Sequence, residues 1–320
     1  MVRITFIKKA FLVLLVIPFL NTGCKSSSEE DFPNYVDVKK LRIFAREEVS
    51  TSFLNNVGEA YKEMFNDNSD VDSTMRSHYL SISEDEYVYQ RVGVDGMANN
   101  SNFDSGEPPK PYRDNATDYI WEKDTADGQI GEVVEHLLHT VTNVIFYLAY
   151  PNDWDYNDSY SAISLAMQEA IDKGIYDVSS YKDLKDDNGY DKIITQEYAY
   201  WLILAEWDYF IITDKTMNGM SGNEEFVIGT PEEIYAQLPL GHKLYSDYVE
   251  KVLSIPDKQK MISVMKAYPF AILVSASEGN PFITHIPIIY NEETGKLVAH
   301  IDKYNPQVAT LKDGAEVTAV

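Results

Sequence analysis

The sequence predicts a multidomain protein in which a mainly α-helical middle domain is followed by an antiparallel β-sheet segment. Through most of residues 37–256, apolar residues recur every three or four positions, the spacing of amphipathic helices. From residue 257 onward they form short runs separated by turn residues, as in strands. The charge changes there too, since residues 261–320 carry −2 of the total −24. A domain boundary is therefore predicted near residue 257.

The N-terminal residues have the pattern of an export signal. Three basic residues precede an apolar run at 10–20, as in the charged and hydrophobic regions of a signal peptide. This run is too short to cross a bilayer, which requires about 20 apolar residues. Residues 1–23 are therefore predicted to be a cleaved lipoprotein signal peptide.

Cys24 directly follows this predicted signal and is the only cysteine in the chain. A lipoprotein signal peptidase would leave it as the new N terminus, where several acyl chains give the anchoring that a single chain does not. Residues 24–36 are predicted to be an acidic tether. The sequence thus predicts a lipoprotein of the cell envelope, at the outer membrane or cell surface, whose membrane contact is the lipid on Cys24.

Composition limits the functions of the main domain. Removing residues 1–23 takes the net charge from −24 to −27, and such a surface repels phosphate backbones, so no nucleic-acid partner is expected. A single cysteine excludes an intrachain disulfide. The sequence has no Gly-rich phosphate loop, Gly-x-Ser-x-Gly elbow or plausible cysteine nucleophile, so nucleotide, serine and thiol hydrolysis lack support.

The first elements of the middle domain follow from local patterns. Residues 41–65 have apolar side chains close to helical spacing, which predicts a helix. Residues 66–128 are rich in Asp, Asn, Ser, Gly and Pro, so loops and short strands are expected, for instance around 87–92. A helical block begins at residue 129, where one face is apolar and Pro151 closes the helix.

Four more helices are predicted before the boundary. The helix at 161–173 is followed by Gly174 at the position of a left-handed C-terminal cap. Residues 193–212 are aromatic on nearly all sides, which is typical of a buried helix. Residues 230–233 have the N-cap, the N1 proline and the N3 glutamate of a capping box, so a helix starts there. Residues 240–255 supply the last one.

A polar stripe on the helix that starts at residue 129 is a candidate metal site. Glu132, Glu135, His136 and His139 are three or four positions apart and share one face. Imidazoles and carboxylates are ligands for zinc or iron. A metal-dependent enzyme is therefore one hypothesis.

The same stripe also has a simpler interpretation. The two histidines are three positions apart, whereas the metalloprotease pattern places them four apart. A solvated or hydrogen-bonded helix face is the alternative. In the metal interpretation, another helix would complete the site with His242 or Glu206.

The last sixty residues predict a β-meander with several recognisable motifs. Apolar runs at 270–274, 282–290 and 296–301 are separated by turns. The motifs are, in order, Ala-Tyr-Pro-Phe at 267–270, Thr-His-Ile-Pro at 284–287, Gly-Lys-Leu-Val-Ala-His at 295–300, Lys-Tyr-Asn-Pro-Gln at 303–307 and Asp-Gly-Ala-Glu at 313–316.

In order and spacing, these motifs resemble the N-terminal half of PaiB-like FMN-binding proteins, which are also described as negative transcriptional regulators and have a split-barrel flavin fold. The resemblance covers about residues 257–320. It implies a partial antiparallel split β-barrel, FMN as cofactor and a homodimer formed through the barrel. The cofactor-binding positions that it carries over are Thr284, His285, His300, Lys303 and Asn305.

The segment departs from this family at several positions. Ala299 replaces a Gly, Val308 replaces a Trp, and Lys303 replaces an Arg, which keeps the charge but loses the bidentate fork. The family's Gly-Pro and Tyr-Ile-Ser-Pro motifs would lie beyond Val320. Three explanations of this half pattern are left open: the sequence is truncated, the segment pairs with another copy, or the chain is a chimera that is joined near residue 257 and binds no flavin.

Three functional hypotheses remain open. The first is a lipid-anchored exported protein of unknown, binding-type activity with a partial FMN-binding segment. The second is a flavin-binding regulator or oxidoreductase of the PaiB-like class. The third is a metal-dependent enzyme built on the His136 and His139 helix. Whether the protein is an enzyme is left open by the sequence.

Overall fold

The computed structural model describes residues 31–94, 106–123, 129–185, 187, 189–210, 224–261, 270–277, 280–291, 296–299, 301, 304–311 and 317–319. These residues fall into two compact units, which divide between Met265 and Lys266. Both units contain strands, so the chain is a multidomain protein of mixed helix and sheet. The predicted signal peptide and Cys24 lie outside the described residues.

The N-terminal unit combines a sheet with a set of helices. Its described strands are β1 (Asn34–Val38), β2 (Leu41–Ala45), β3 (Tyr89–Val94) and β4 (Tyr119–Glu122). Its described α-helices of four or more residues are α1 (Thr51–Glu63), α2 (Ser73–Asp85), α3 (Gln129–His139), α4 (Pro151–Trp154), α5 (Ala162–Asp172), α6 (Tyr190–Glu206), α7 (Pro231–Gln237) and α8 (Pro239–Leu244). Helix α3 continues through a π-helical segment, Thr140–Phe146, and α8 continues through another, Tyr245–Val249.

The four strands form one mixed sheet in the order β1-β2-β3-β4. β1 and β2 are antiparallel, whereas β2–β3 and β3–β4 are parallel. Parallel neighbours need a crossover connection, and α1 and α2 supply the one between β2 and β3. The unit predicted to be mainly helical therefore also contains a sheet, and the sheet carries one side of the candidate site.

The prediction of a single helix over residues 41–65 is wrong in its first third. Leu41–Ala45 is strand β2, and the helix begins only after Ser50, whose side chain accepts a hydrogen bond from Phe53 N. The hairpin before β2 turns at Lys39 and Lys40, which have φ of 46° and 65°. Such turns usually contain Gly, Asn or Asp, so this lysine pair gave no turn signal.

Residues at the C-terminal end of the predicted tether contribute to the N-terminal unit. Phe32 is buried, and its ring lies 6.0 Å from that of Phe44 and 6.4 Å from that of Tyr119. Strand β1 starts at Asn34. The N-terminal unit therefore includes described residues from the end of the stretch 24–36.

Several helix ends agree with the local signals. α5 is followed by Gly174 with a φ of 67°, and α7 starts with the full capping box between Thr230 and Glu233. α6 is buried along most of its length, although it ends at Glu206 and not at residue 212.

Helix α2 was not predicted, although its N-cap was visible in the sequence. Asp72 accepts hydrogen bonds from the backbone N–H groups of Thr74 and Met75 at 2.8 and 3.0 Å. An aspartate at this position is a common helix start. The helix buries few apolar side chains, so apolar spacing could not reveal it. Among the described residues, no helix is both long and apolar enough to cross a membrane.

The C-terminal unit contains an antiparallel sheet. Its described strands are β5 (Phe270–Ser277), β6 (Asn280–Asn291), β7 (Lys296–Ala299) and β8 (Val317–Ala319), in the order β7-β6-β5-β8. The three predicted strands of the meander are confirmed by β5, β6 and β7. A short 3₁₀ helix, Pro306–Thr310, follows them. The described strands form an open sheet, so they do not show a closed barrel.

Candidate functional site

A cluster of imidazoles and carboxylates lies in the N-terminal unit, where α3 packs against β4 and α6. Asp118 directly precedes β4, and the two histidines lie in the last turns of α3. Glu197 belongs to α6. We call the following residues the histidine cluster: Asp118, Glu132, Glu135, His136, His139 and Glu197.

His136 is held between two carboxylates. Its Nδ1 atom lies 3.1 Å from Asp118 Oδ2, and its Nε2 atom lies 3.2 Å from Glu132 Oε1. Glu132 also contacts Lys123 Nζ at 2.9 Å and accepts a hydrogen bond from Trp121 N at 3.1 Å. Both ring nitrogens of His136 therefore face carboxylates that belong to this ion-pair network.

His139 is more deeply buried than His136, although each of them has one ring nitrogen without a hydrogen-bond partner among the described residues. Its side chain is fully buried, and its Nδ1 atom lies 3.0 Å from Asp118 Oδ2. Its Nε2 atom has no hydrogen-bond partner among the described residues and lies 3.6 Å from Glu197 Oε2. Glu135, His139 and Glu197 each offer one atom within 4.8 Å of the others, and so do Asp118, His136 and His139.

Gln196 positions Asp118 from the side of α6. Its Nε2 atom donates to Asp118 Oδ2 at 3.1 Å and lies 3.0 Å from His139 Nδ1. Its Oε1 atom accepts hydrogen bonds from Thr117 Oγ1 at 2.9 Å and Asn143 Nδ2 at 3.3 Å. An ionised carboxylate can only accept, so the proton between His139 and Asp118 is assigned to His139 Nδ1.

The electrostatics of the histidine cluster favour positive charge at its centre. Burial opposes ionisation of Asp118, but the charges of His139 and His136 keep its pKa well below the usual range. Burial also disfavours a charged His136, yet hydrogen bonds to Asp118 and Glu132 raise its pKa to about 9. For His139, Glu197 and Asp118 outweigh burial and raise the pKa well above the usual value. The buried carboxylates therefore require cations, either protons on the imidazoles or a metal ion.

The structure arranges the four residues that the sequence grouped as a metal site into overlapping sets. Glu132 contacts His136, whereas Glu135 and His139 form one group with Glu197, and His136 and His139 form another with Asp118. Neither residue proposed to complete the site takes part: the described contacts pair His242 Nδ1 with Glu206 Oε1 at 2.9 Å. Three residues at the histidine cluster were not predicted from the sequence, because they lie outside α3 and helical periodicity cannot connect them with it: Asp118, Gln196 and Glu197.

The C-terminal unit contains part of the second candidate site. Asn305 Nδ2 donates to Thr284 Oγ1 at 3.1 Å. Asn305 Oδ1 also accepts from Gln307 N at 2.9 Å, which caps the 3₁₀ helix. His285 lies in β6 with its backbone paired to Ile272. The side chain of His285 and the whole of His300 and Lys303 lie outside the described residues.

A buried polar network fixes the 3₁₀ helix that carries Asn305. Gln307 is 1% exposed and donates to Ser275 Oγ at 3.0 Å and to the Phe282 carbonyl at 3.2 Å. Ser275 Oγ also lies 2.6 Å from Thr310 Oγ1. These contacts hold Asn305 beside β6, although Gln307 itself was not among the predicted site residues.

Comparisons with known proteins assign only the C-terminal part of the chain. The model of the family described as "Putative FMN-binding domain" matches residues 247–320. Searches of curated proteins and of solved structures returned no match. The family match covers less than half of the chain and leaves the histidine cluster outside it. The C-terminal segment is thus similar to an FMN-binding family.

Proposed function

We propose that this protein is a lipid-anchored protein of the cell envelope whose C-terminal segment binds FMN as a partial split barrel of the PaiB-like class. The observation that carries the proposal is the FMN-binding family match over residues 247–320. Within that segment, two of the five positions expected to bind the cofactor, Thr284 and Asn305, are in hydrogen-bond contact.

The described side chains fit the polar groups of a flavin. Thr284 and Asn305 are partly exposed, and a hydroxyl that accepts one hydrogen bond keeps its own proton for donation. Neutral donors of this kind suit the carbonyl and ring-nitrogen edge of FMN. The phosphate requires a cation, and Lys303 supplies one in the same motif. In this proposal His285 and His300 contribute further donors.

Bound FMN would supply electron or hydride transfer, so an oxidoreductase and a flavin-dependent regulator are both compatible with the proposal. The chain's own residues would bind and orient the cofactor. Completion of the site by a second copy of the segment is part of the proposal, because the described sheet is open. The flavin-loaded protein is therefore expected to be a dimer in light scattering.

Flavin binding can be tested on the mature full chain. The purified protein is expected to be yellow or to quench FMN fluorescence on titration. Lys303→Ala should weaken FMN binding by about tenfold, since it removes one charge-assisted hydrogen bond. Lys312→Ala is the matched control, because this lysine lies in the same segment outside the motif. A protein that binds no added FMN, or equal effects of both variants, would contradict the proposed site.

The lipid anchor has a separate test. Cys24→Ser removes the only cysteine and is expected to move the protein from the membrane fraction to the soluble fraction, because the acyl chains provide the membrane affinity. Incorporation of a labelled fatty acid should be lost in the same variant. Ser26→Ala is the control. Retention of label in Cys24→Ser would rule out this anchor.

A further inference from the structure

We infer that the N-terminal unit holds a divalent metal ion of the zinc class, bound by Glu135, His139 and Glu197. The site lies outside the segment similar to the FMN-binding family, and it differs from the four-residue set predicted on α3. Its starting point is the Nε2 atom of His139, which is buried and has no hydrogen-bond partner among the described residues. A buried polar atom without a partner costs about 1–3 kcal/mol, so a ligand at this atom accounts for it.

Asp118 prepares His139 for metal binding. The Nδ1–H group of His139 donates to Asp118 Oδ2 at 3.0 Å, which leaves the lone pair on Nε2. Metal-ligating histidines usually donate their other ring N–H to a carboxylate in this way, because it fixes the tautomer and the ring orientation. Gln196 holds Asp118 in place through its own hydrogen bond. Asp118 and Gln196 thus hold the His139 ring in the tautomer and orientation that metal binding requires.

The two carboxylates are placed for coordination. Glu197 Oε2 lies 3.6 Å from His139 Nε2, which is too long for a hydrogen bond. Two ligand atoms bound about 2 Å from one tetrahedral ion lie roughly 3.3 Å apart. Glu135 lies four residues before His139, the spacing by which two side chains on one helix reach the same ion. All three residues offer atoms within 4.8 Å of one another.

His136 lies outside the proposed ligand set, because its Nδ1 atom, which also lacks a hydrogen bond, faces Asp118, and no atom of His136 belongs to the group of Glu135, His139 and Glu197. Both of its ring nitrogens face carboxylates, those of Asp118 and Glu132. The three-residue spacing of the histidines is therefore no obstacle, since the ligands on α3 are Glu135 and His139. Three protein ligands leave a fourth position for water, as in zinc sites that carry out chemistry rather than those that only stabilise a fold. One imidazole and two carboxylates also accommodate Fe²⁺ and Mn²⁺.

The test measures metal on the full mature chain. The protein is stripped with a chelator, equilibrated with Zn²⁺ and analysed by elemental mass spectrometry and calorimetry. One zinc ion per chain is expected. His139→Ala and Glu197→Gln should each weaken binding by more than about a hundredfold. His136→Ala should weaken it by tenfold or less, and His242→Ala should leave it unchanged.

Two measurements keep the result interpretable if a variant folds poorly. Circular dichroism of each metal-free variant identifies loss of structure. Co²⁺ in place of Zn²⁺ gives the wild type a visible absorption that Glu197→Gln should lack. The inference is overturned if the wild type binds no zinc, if His136→Ala loses as much affinity as His139→Ala, or if Glu197→Gln binds normally. Because FMN binding is measured separately, its failure would leave this result unaffected.

Discussion

Phe146→Ala is expected to lower the free energy of unfolding of the N-terminal unit by about 3–5 kcal/mol, the usual cost of removing a fully buried aromatic ring. Phe146 is fully buried at the end of the π-helical segment that continues α3. Its ring lies 4.7 Å from that of Trp154, 5.4 Å from Tyr79 and 5.8 Å from Tyr150. The cavity would therefore open between three other aromatic side chains that cannot easily collapse into it.

Urea unfolding followed by tryptophan fluorescence measures this loss in the N-terminal unit, since all four tryptophans precede residue 208. Phe146→Leu should give a smaller loss, which provides a second value if the alanine variant does not fold. Tyr160→Ala is the control, because Tyr160 is 84% exposed and should change stability by about 0.5 kcal/mol or less. A loss below about 1.5 kcal/mol for Phe146→Ala would show that this aromatic cluster is loosely packed.

Acidification is expected to remove a stabilising contribution of roughly 3 kcal/mol that comes from Glu132. Burial alone would raise the pKa of Glu132, but the hydrogen bond and charge of His136, together with Lys123 and Trp121 N, lower it to about 2. In the unfolded chain a glutamate titrates near about 4.3. The stabilisation by Glu132 is therefore complete at pH values above the pKa that Glu132 has in the unfolded chain. It is lost as the pH falls toward the lower pKa that Glu132 has in the folded protein.

Comparison with Glu132→Gln isolates this contribution from other acidic groups, including Asp118 on the far side of His136. Urea unfolding of both proteins is measured between about pH 6 and pH 3 with a chelator present, so that bound metal adds nothing. The stability difference should be largest near neutral pH and shrink on acidification. Glu48→Gln, at an exposed position, controls for loss of one negative charge. A difference between wild type and Glu132→Gln that stays constant with pH would contradict this role of Glu132.

The sequence alone indicated those helices and strands that are marked by periodicity, capping residues or turn residues. A helix periodicity placed Glu132, Glu135, His136 and His139 on one helix, and capping residues marked the starts or ends of others, such as the end at Gly174. The turn residues and apolar runs after residue 257 specified three antiparallel strands. The motifs of the same segment indicated FMN, in agreement with the family match. These features depend on residues close together in the chain, so their pattern can be read without knowing the fold.

The tertiary structure decided which of these residues act together. Asp118, on the approach to β4, and Glu197, on α6, reach His139 only because the sheet and the two helices pack against each other. Ion-pair contacts place His136 between Asp118 and Glu132, and His139 Nε2 faces Glu197 without a hydrogen bond. The strand expected around residues 87–92 is β3, whereas the first hairpin of the sheet was missed because it turns at two lysines. Contacts between distant residues depend on packing, and helical periodicity cannot distinguish a ligand from the residue that holds it in place.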